Sequence, residues 1–127
     1  MTTPQDVMRL GETLIKYCQA QDEARLWQEY YTPDAVSVEA VEMPDGSREA
    51  RGLAAIQAKG AWWYGAHEVH KMDVEGPFIH GNTRFSVIFD LDVTHKESGE
   101  RSQMREIGTY YCNDAGQIIR EEFSYAV

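Results

Sequence analysis

The stretch Phe85-Ser86-Val87-Ile88-Phe89-Asp90-Leu91-Asp92-Val93-Thr94 decides the fold class. Phe85, Val87, Phe89, Leu91 and Val93 fall on one side of an extended chain, and Ser86, Ile88, Asp90, Asp92 and Thr94 fall on the other. Apolar residues at a period of two mark a strand with one face in a core. The run reaches back to residue 78 with a break near Gly81-Asn82, and further strand-like runs span 67–76, 101–112 and 117–125. His80-Gly81-Asn82, the segment 95–100 and Asn113-Asp114-Ala115-Gly116 have the composition of turns that fold a chain back on itself. Four strands joined in this way read as an antiparallel meander.

Upstream of the strands the period changes to that of a helix. Thr3 can cap a helix, Pro4 suits its first turn, and Asp6 favours the positive end of its dipole. Val7, Leu10, Leu14 and Tyr17 follow at helical spacing, with Met8 and Ile15 widening the stripe. Asp22 is placed to cap a second, short helix, which pairs Leu26 with Tyr30 and Trp27 with Tyr31 before Pro33 stops it. A strand is expected over 35–43, a tight turn at Pro44-Asp45-Gly46-Ser47, and a return over 48–51. A third helix is expected from near Gly52 through Leu53, Ile56, Gly60 and Trp63 to about Gly65. Helices first and a meander second mean an α+β fold, and the length allows one domain over 1–127.

Composition narrows the function. The formal net charge of −9 repels phosphate, so nucleic acid and anionic membranes are excluded as natural partners. Cys18 and Cys112 follow no metal-ligand spacing, the N-terminal residues lack the pattern of a signal peptide, and no run reaches the roughly 20 apolar residues that span a bilayer. The expectation is a cytoplasmic protein with two reduced thiols. His67, His70 and His80 form no HxH or HExxH pattern, so no metal site is expected.

Alternation also places single ionisable residues on apolar faces. Met104, Glu106, Gly108, Tyr110 and Cys112 share one face of their run; Ile119, Glu121, Phe123 and Tyr125 share another; His70, Met72 and Val74 share a third. A pocket lined by a curved sheet has this pattern, and so does a dimer interface.

The motifs resemble a known superfamily over nearly the whole chain. They are Tyr30-Tyr31-Thr32-Pro33-Asp34-Ala35, the Arg48-Glu49-Ala50-Arg51-Gly52-Leu53 approach to the third helix, and the closing meander with Met104-Arg105-Glu106-Ile107-Gly108 and Ile118-Ile119-Arg120-Glu121-Glu122-Phe123. The chain is similar to SnoaL-like domains of the nuclear transport factor 2-like group, which includes the ketosteroid isomerases. The resemblance implies a cone-shaped roll, in which a curved antiparallel sheet packs on three helices from the N-terminal half, the cystatin-like arrangement. It also implies an apolar pocket inside the cone and a homodimer through the outer sheet face. In the isomerases the proton-abstracting carboxylate lies five positions after the Asp of an Asp-Ala pair; Asp34-Ala35 puts Glu39 at that spacing. Counting back from Ala115-Gly116 reaches Gly108, with Glu106 two residues earlier on the same face. Tyr17 lies nearest to the tyrosine of the family's first helix.

The candidate chemistry follows. A carboxylate in an apolar cavity has its pKa raised and becomes a competent base near neutral pH, which suits Glu39; the alternative is a wet strand face shared with Ser37. A protonated Glu106, helped by Tyr110, can donate to a carbonyl oxygen; the alternative is a salt bridge or a rim position. The resemblance places Phe123 and Tyr125 in the pocket wall and so Glu121 inward, where a buried carboxylate needs a partner such as His70 or Tyr110. His70 is a positioning group or alternative base, or a satisfied core histidine. Trp63, Phe123 and Tyr125 are expected to form an apolar wall, with Tyr17 and Met104 as further ligand contacts. The reading is a pocket for a small apolar molecule, working as an isomerase, cyclase or dehydratase by proton transfer next to a carbonyl without a cofactor. The alternative is a non-catalytic module that binds a small ligand or dimerises.

Overall fold

The computed structural model describes residues 2–126. Among them, three helices precede or interrupt a six-stranded sheet: α1 (Pro4–Gln19), α2 (Glu23–Tyr30), β1 (Tyr31–Val38), β2 (Glu49–Arg51), α3 (Leu53–Ala66), β3 (His67–His80), β4 (Arg84–His95), β5 (Arg101–Cys112) and β6 (Ile118–Ser124). The sheet order is β2-β1-β6-β5-β4-β3. The α+β class is as expected. The sheet is mixed, because β1 runs parallel to β6 while the other neighbours are antiparallel.

Thr3 caps α1 as a capping box: its hydroxyl accepts the Asp6 N–H at 3.2 Å, and the Asp6 carboxylate accepts the Thr3 N–H at 2.9 Å. Val7, Leu10, Leu14 and Cys18 bury one stripe of α1 against β3 and β4. Asp22 precedes α2 without making a side-chain cap bond. In β4, Phe85, Val87, Phe89, Leu91 and Val93 are all buried, as their alternation demands. On the outer face Asp90 pairs with Arg105 at 2.7 Å, Asp92 pairs with Arg101 at 2.8 Å, and Ile88 lies beside Ile107.

Three strand details differ from the expectation, each because one strand carries a residue its partner does not match. Val69 and Lys71 pair with the adjacent Val93 and Asp92, which leaves His70 as the extra residue of a bulge. Val69, not His70, therefore shares the inner face with Met72 and Val74, and His70 is exposed. Gly76-Pro77 is absorbed in a second irregularity between Glu75 and Phe78, so 67–80 is one strand and the break at Gly81-Asn82 is the turn into β4. In β6, Ile118 and Arg120 pair with the adjacent Cys112 and Tyr111. Ile119 is the extra residue and is exposed, and Ile118 takes the inner place expected for it.

The first strand begins at Tyr31 and ends at Val38, earlier than 35–43. Pro33 has no N–H to donate, so the ladder to β6 skips from Tyr31 to Val36. Beyond Val38 the chain is held by its own hairpin, with the Glu39 N–H donating to the Arg48 carbonyl at 2.8 Å. Met72 on one edge strand and Glu39 just past β1 line the same cavity, although β6, β5 and β4 lie between those strands. The sheet is thus curved around that cavity, and its edges do not meet.

Candidate functional site

The cavity lies between the inner sheet face and helices α2 and α3 and holds about 150 Å³. Leu26 and Trp27 from α2 and Ile56, Trp62 and Trp63 from α3 form one wall. Met72, Phe89, Leu91, Tyr110 and Phe123 form the sheet side. Two glycines shape it. A Cβ on Gly60 would lie 2.5 Å from the Trp27 ring, so only glycine lets α2 approach α3 this closely. A Cβ on Gly108 would lie 2.9 Å from Phe89 and 3.0 Å from Tyr110, so glycine leaves room for two aromatic rings of the sheet wall.

Polar groups converge at the sheet end. Glu121, 4% exposed, faces inward from β6 opposite Tyr110. It accepts hydrogen bonds from the Tyr31 hydroxyl on one oxygen and from Ser37 Oγ on the other, the latter at 2.6 Å. A buried carboxylate is tolerated because both oxygens are bonded. Lys59 reaches down from α3, donates to Ser37 Oγ, and places its ammonium 5.1 Å from the centre of the Phe123 ring. The Lys59 side chain is 13% exposed, and its Nζ stands 3.9 Å from Glu39 Oε2.

Glu39 and Glu106 face the same space without such a set of donors. Glu39 Oε2 is buried and has no hydrogen-bond partner among the described residues. Burial raises the pKa of Glu39, the Lys59 charge works against that, and the Glu121 charge adds to it. Burial, reinforced by the charge of Glu39, pushes Glu106 up to about 7. Glu106 is thus half-protonated near neutral pH, in the same cavity as Glu39. Burial also holds the Tyr110 hydroxyl well above its ordinary pKa, so it stays a neutral donor. At the helical end of the cavity Tyr64 donates to Glu23 at 2.7 Å, and burial raises the pKa of Glu23.

Of the residues singled out from sequence, Glu39, Glu106, Tyr110, Glu121, Trp63 and Phe123 line this one cavity. His70 does not. As a bulge residue it points to the outside, where its Nε2 lies 2.7 Å from Thr94 Oγ1. Tyr17 also turns away, its hydroxyl donating to Glu29 at 3.1 Å; Cys18, one residue and about 100° further round α1, lines the cavity instead. Met104 packs on the core without reaching the cavity, and Tyr125 lies past β6 close to the backbone of Ala40 and Val41. Ser37 is fully buried, which removes the wet face considered for it and Glu39.

Lys59, Tyr31 and Ser37 were missed. The signal for Lys59 was present: Ile56, Lys59 and Trp63 lie three and four apart, on one face of an otherwise apolar helix. Tyr31 was masked by its helical spacing from Trp27. Among the described residues, no three His, Cys, Asp or Glu side chains gather as metal ligands, and no helix is long and apolar enough to cross a membrane.

Residues 3–125 match the SnoaL-like domain family. A protein from Mesorhizobium loti described as a SnoaL-like polyketide cyclase is 35% identical, with 92% of this chain and 97% of that one covered and a TM-score of 0.83. A Mycobacterium tuberculosis protein in complex with estradiol-17beta-hemisuccinate is 21% identical, with 98% and 95% covered and a TM-score of 0.75. The Delta 5-3-ketosteroid isomerase of a Mycobacterium species is 23% identical, with 98% and 94% covered and a TM-score of 0.67. At those identities the last two similarities concern the fold alone. No curated protein sequence matches the chain. With its full-length family match and its curved sheet around an inner cavity, the chain belongs to the SnoaL-like family of the nuclear transport factor 2-like fold.

Proposed function

We propose that the protein binds a small apolar carbonyl compound in this cavity and moves a proton next to its carbonyl, without a cofactor. The observation that carries the reading is the contrast between Glu39 and Glu106 in one apolar enclosure: a buried carboxylate oxygen with no hydrogen-bond partner among the described residues, and a carboxyl group held at about 7. Glu39 takes the proton from the carbon next to the carbonyl. The C–H electron pair forms a C=C bond, and the carbonyl oxygen collects the displaced charge under a hydrogen bond from protonated Glu106, assisted by Tyr110. Return of the proton from Glu39 to carbon restores the carbonyl. Glu121 takes no part in the transfer, since Tyr31 and Ser37 occupy both of its oxygens. The similarity to an isomerase and to a protein that holds a steroid ester supports a ligand of fused rings.

The test is exchange of the protons between ring and carbonyl of 2-tetralone in D2O, followed by NMR. Wild type should accelerate exchange, and Glu39→Gln should lower the rate about 10²- to 10⁴-fold while still binding 2-naphthol, a planar mimic of the enol. A second reading, a binder without turnover, draws on the Lys59 ammonium 3.9 Å from Glu39, which tempers its basicity. Binding of 2-naphthol with exchange no faster than in buffer would establish that reading instead.

The outer sheet face is further read as the surface of a homodimer. Ile107 is exposed there beside Ile88, within a frame of Arg–Asp pairs.

A further inference from the structure

A groove of about 380 Å³ runs between α3 and the segment that joins β1 to β2. Met43, Pro44, Ala50, Ala55, Ala58 and Trp62 form its apolar lining, and Asp45, Glu49, Arg51 and Lys59 border it. Lys59 and Trp62 line both the groove and the inner cavity, so the two spaces are neighbours across these side chains. We propose that the groove is the second half of the ligand site, and that the ligand is an elongated carbonyl compound with a ring system inside and an uncharged apolar extension in the groove. The inference rests on the reading that the cavity holds the carbonyl end.

Three observations point to this occupant. First, the inner cavity, at about 150 Å³, has the volume of a cavity that takes a single benzene ring, so a larger molecule must extend out of it, and Lys59 and Trp62 are the side chains it shares with the groove. Second, Ala55, Ala58 and Trp62 lie three and four apart on α3 and form an apolar stripe, with the Trp62 indole 53% exposed. An exposed tryptophan bordering an apolar groove is a surface that gains from being covered. Third, the cations that border the groove are engaged: Arg51 pairs with Glu49 at 2.6 Å, and Lys59 donates to Ser37 Oγ, while Asp45 adds a negative charge. Among the described residues that border the groove neither cation is left to bind an anionic tail, Asp45 would repel one, and an apolar extension is the chemistry that fits.

The experiment uses 2-naphthol and its 6-ethyl, 6-butyl and 6-hexyl derivatives, with affinity read by fluorescence titration. In wild type each methylene buried in the groove should tighten binding by about fourfold, the value of a CH2 removed from water. Ala58→Trp, at an exposed helix position, fills the groove and should flatten this dependence on chain length. The slope is compared rather than any single affinity, and a thermal melt checks that the variant folds. In parallel, the Ala55 and Ala58 methyl signals should shift with the hexyl compound and not with 2-naphthol. Equal slopes in wild type and Ala58→Trp, no gain with chain length in wild type, or unmoved methyl signals would each overturn the groove assignment while 2-naphthol still binds. Failure of the whole series to bind would overturn the cavity reading and the groove with it.

Discussion

Glu39, Glu106 and Glu121 are one residue type in one cavity, in three different surroundings. Glu121 meets two hydroxyl donors, Glu39 has a lysine at 3.9 Å, and Glu106 has burial and the charge of Glu39 against it. A carboxyl group with a free value of 4.5 that rises to about 7 on folding ties stability to pH. Between those values the folded state holds a proton the unfolded chain has lost. Its contribution is therefore fully present below about 4.5 and falls away as pH rises through 7; Glu39, also raised, acts in the same direction. Wild type should lose roughly 1–3 kcal/mol more than Glu106→Gln between pH 5 and pH 8, from the 1.36 kcal/mol of each pKa unit. Urea midpoints at the two pH values measure this, and parallel losses in both proteins would contradict it. Ser37→Ala should cost roughly 1–3 kcal/mol, because it strips a buried carboxylate and a buried ammonium of a shared partner. An unchanged melting temperature would show that Lys59 moves onto Glu121 directly.

At the scale of elements, bulges decide which side chains reach the cavity. One unmatched residue in β3 expels His70, and one in β6 brings Ile118 inward and leaves Glu121 and Phe123 on the same face. Gly108 does the complementary work in β5 by leaving space where Phe89 and Tyr110 pack. Gly108→Ala pushes a methyl group to within 3 Å of both rings, which a packed core resists. The expected cost is about 1–3 kcal/mol, with weaker 2-naphthol binding as Tyr110 is displaced. Thermal unfolding and titration of the purified variant check both parts, and a variant as stable as wild type would mean that the rings shift without strain.

For the whole molecule, curvature brings the two ends of the sheet to one cavity and turns the other face outward. That outer face is mostly polar and paired within the chain, with Ile107 as its exposed apolar centre. The homodimer reading predicts twice the mass of one chain in light scattering at micromolar concentration, and a monomer for Ile107→Asp, since a charge buried without a partner is costly. A monomeric wild type at that concentration would remove the outer face as an interface.

The helix period before residue 66, the capping box at Thr3, the five buried alternating residues of β4 and the turn compositions could all be read from the chain itself, because each depends on neighbours within a few positions. They were enough for the fold class and for placing Glu106 and Tyr110 on one strand face, while the inward side of Glu121 came from the family resemblance. Glu39 came from its spacing in a family resemblance, and only its position past the end of β1 showed it buried beside Lys59. His70 and Ile119 could not be placed from sequence, since a bulge is set by the partner strand's register and alternation assumes that there is none. Tertiary structure also decided the Tyr31–Glu121–Ser37–Lys59 chain, whose members lie up to 90 residues apart. A buried polar network exists only where distant strands and a helix deliver donors and acceptors to the same point, and no local pattern in a sequence encodes that meeting.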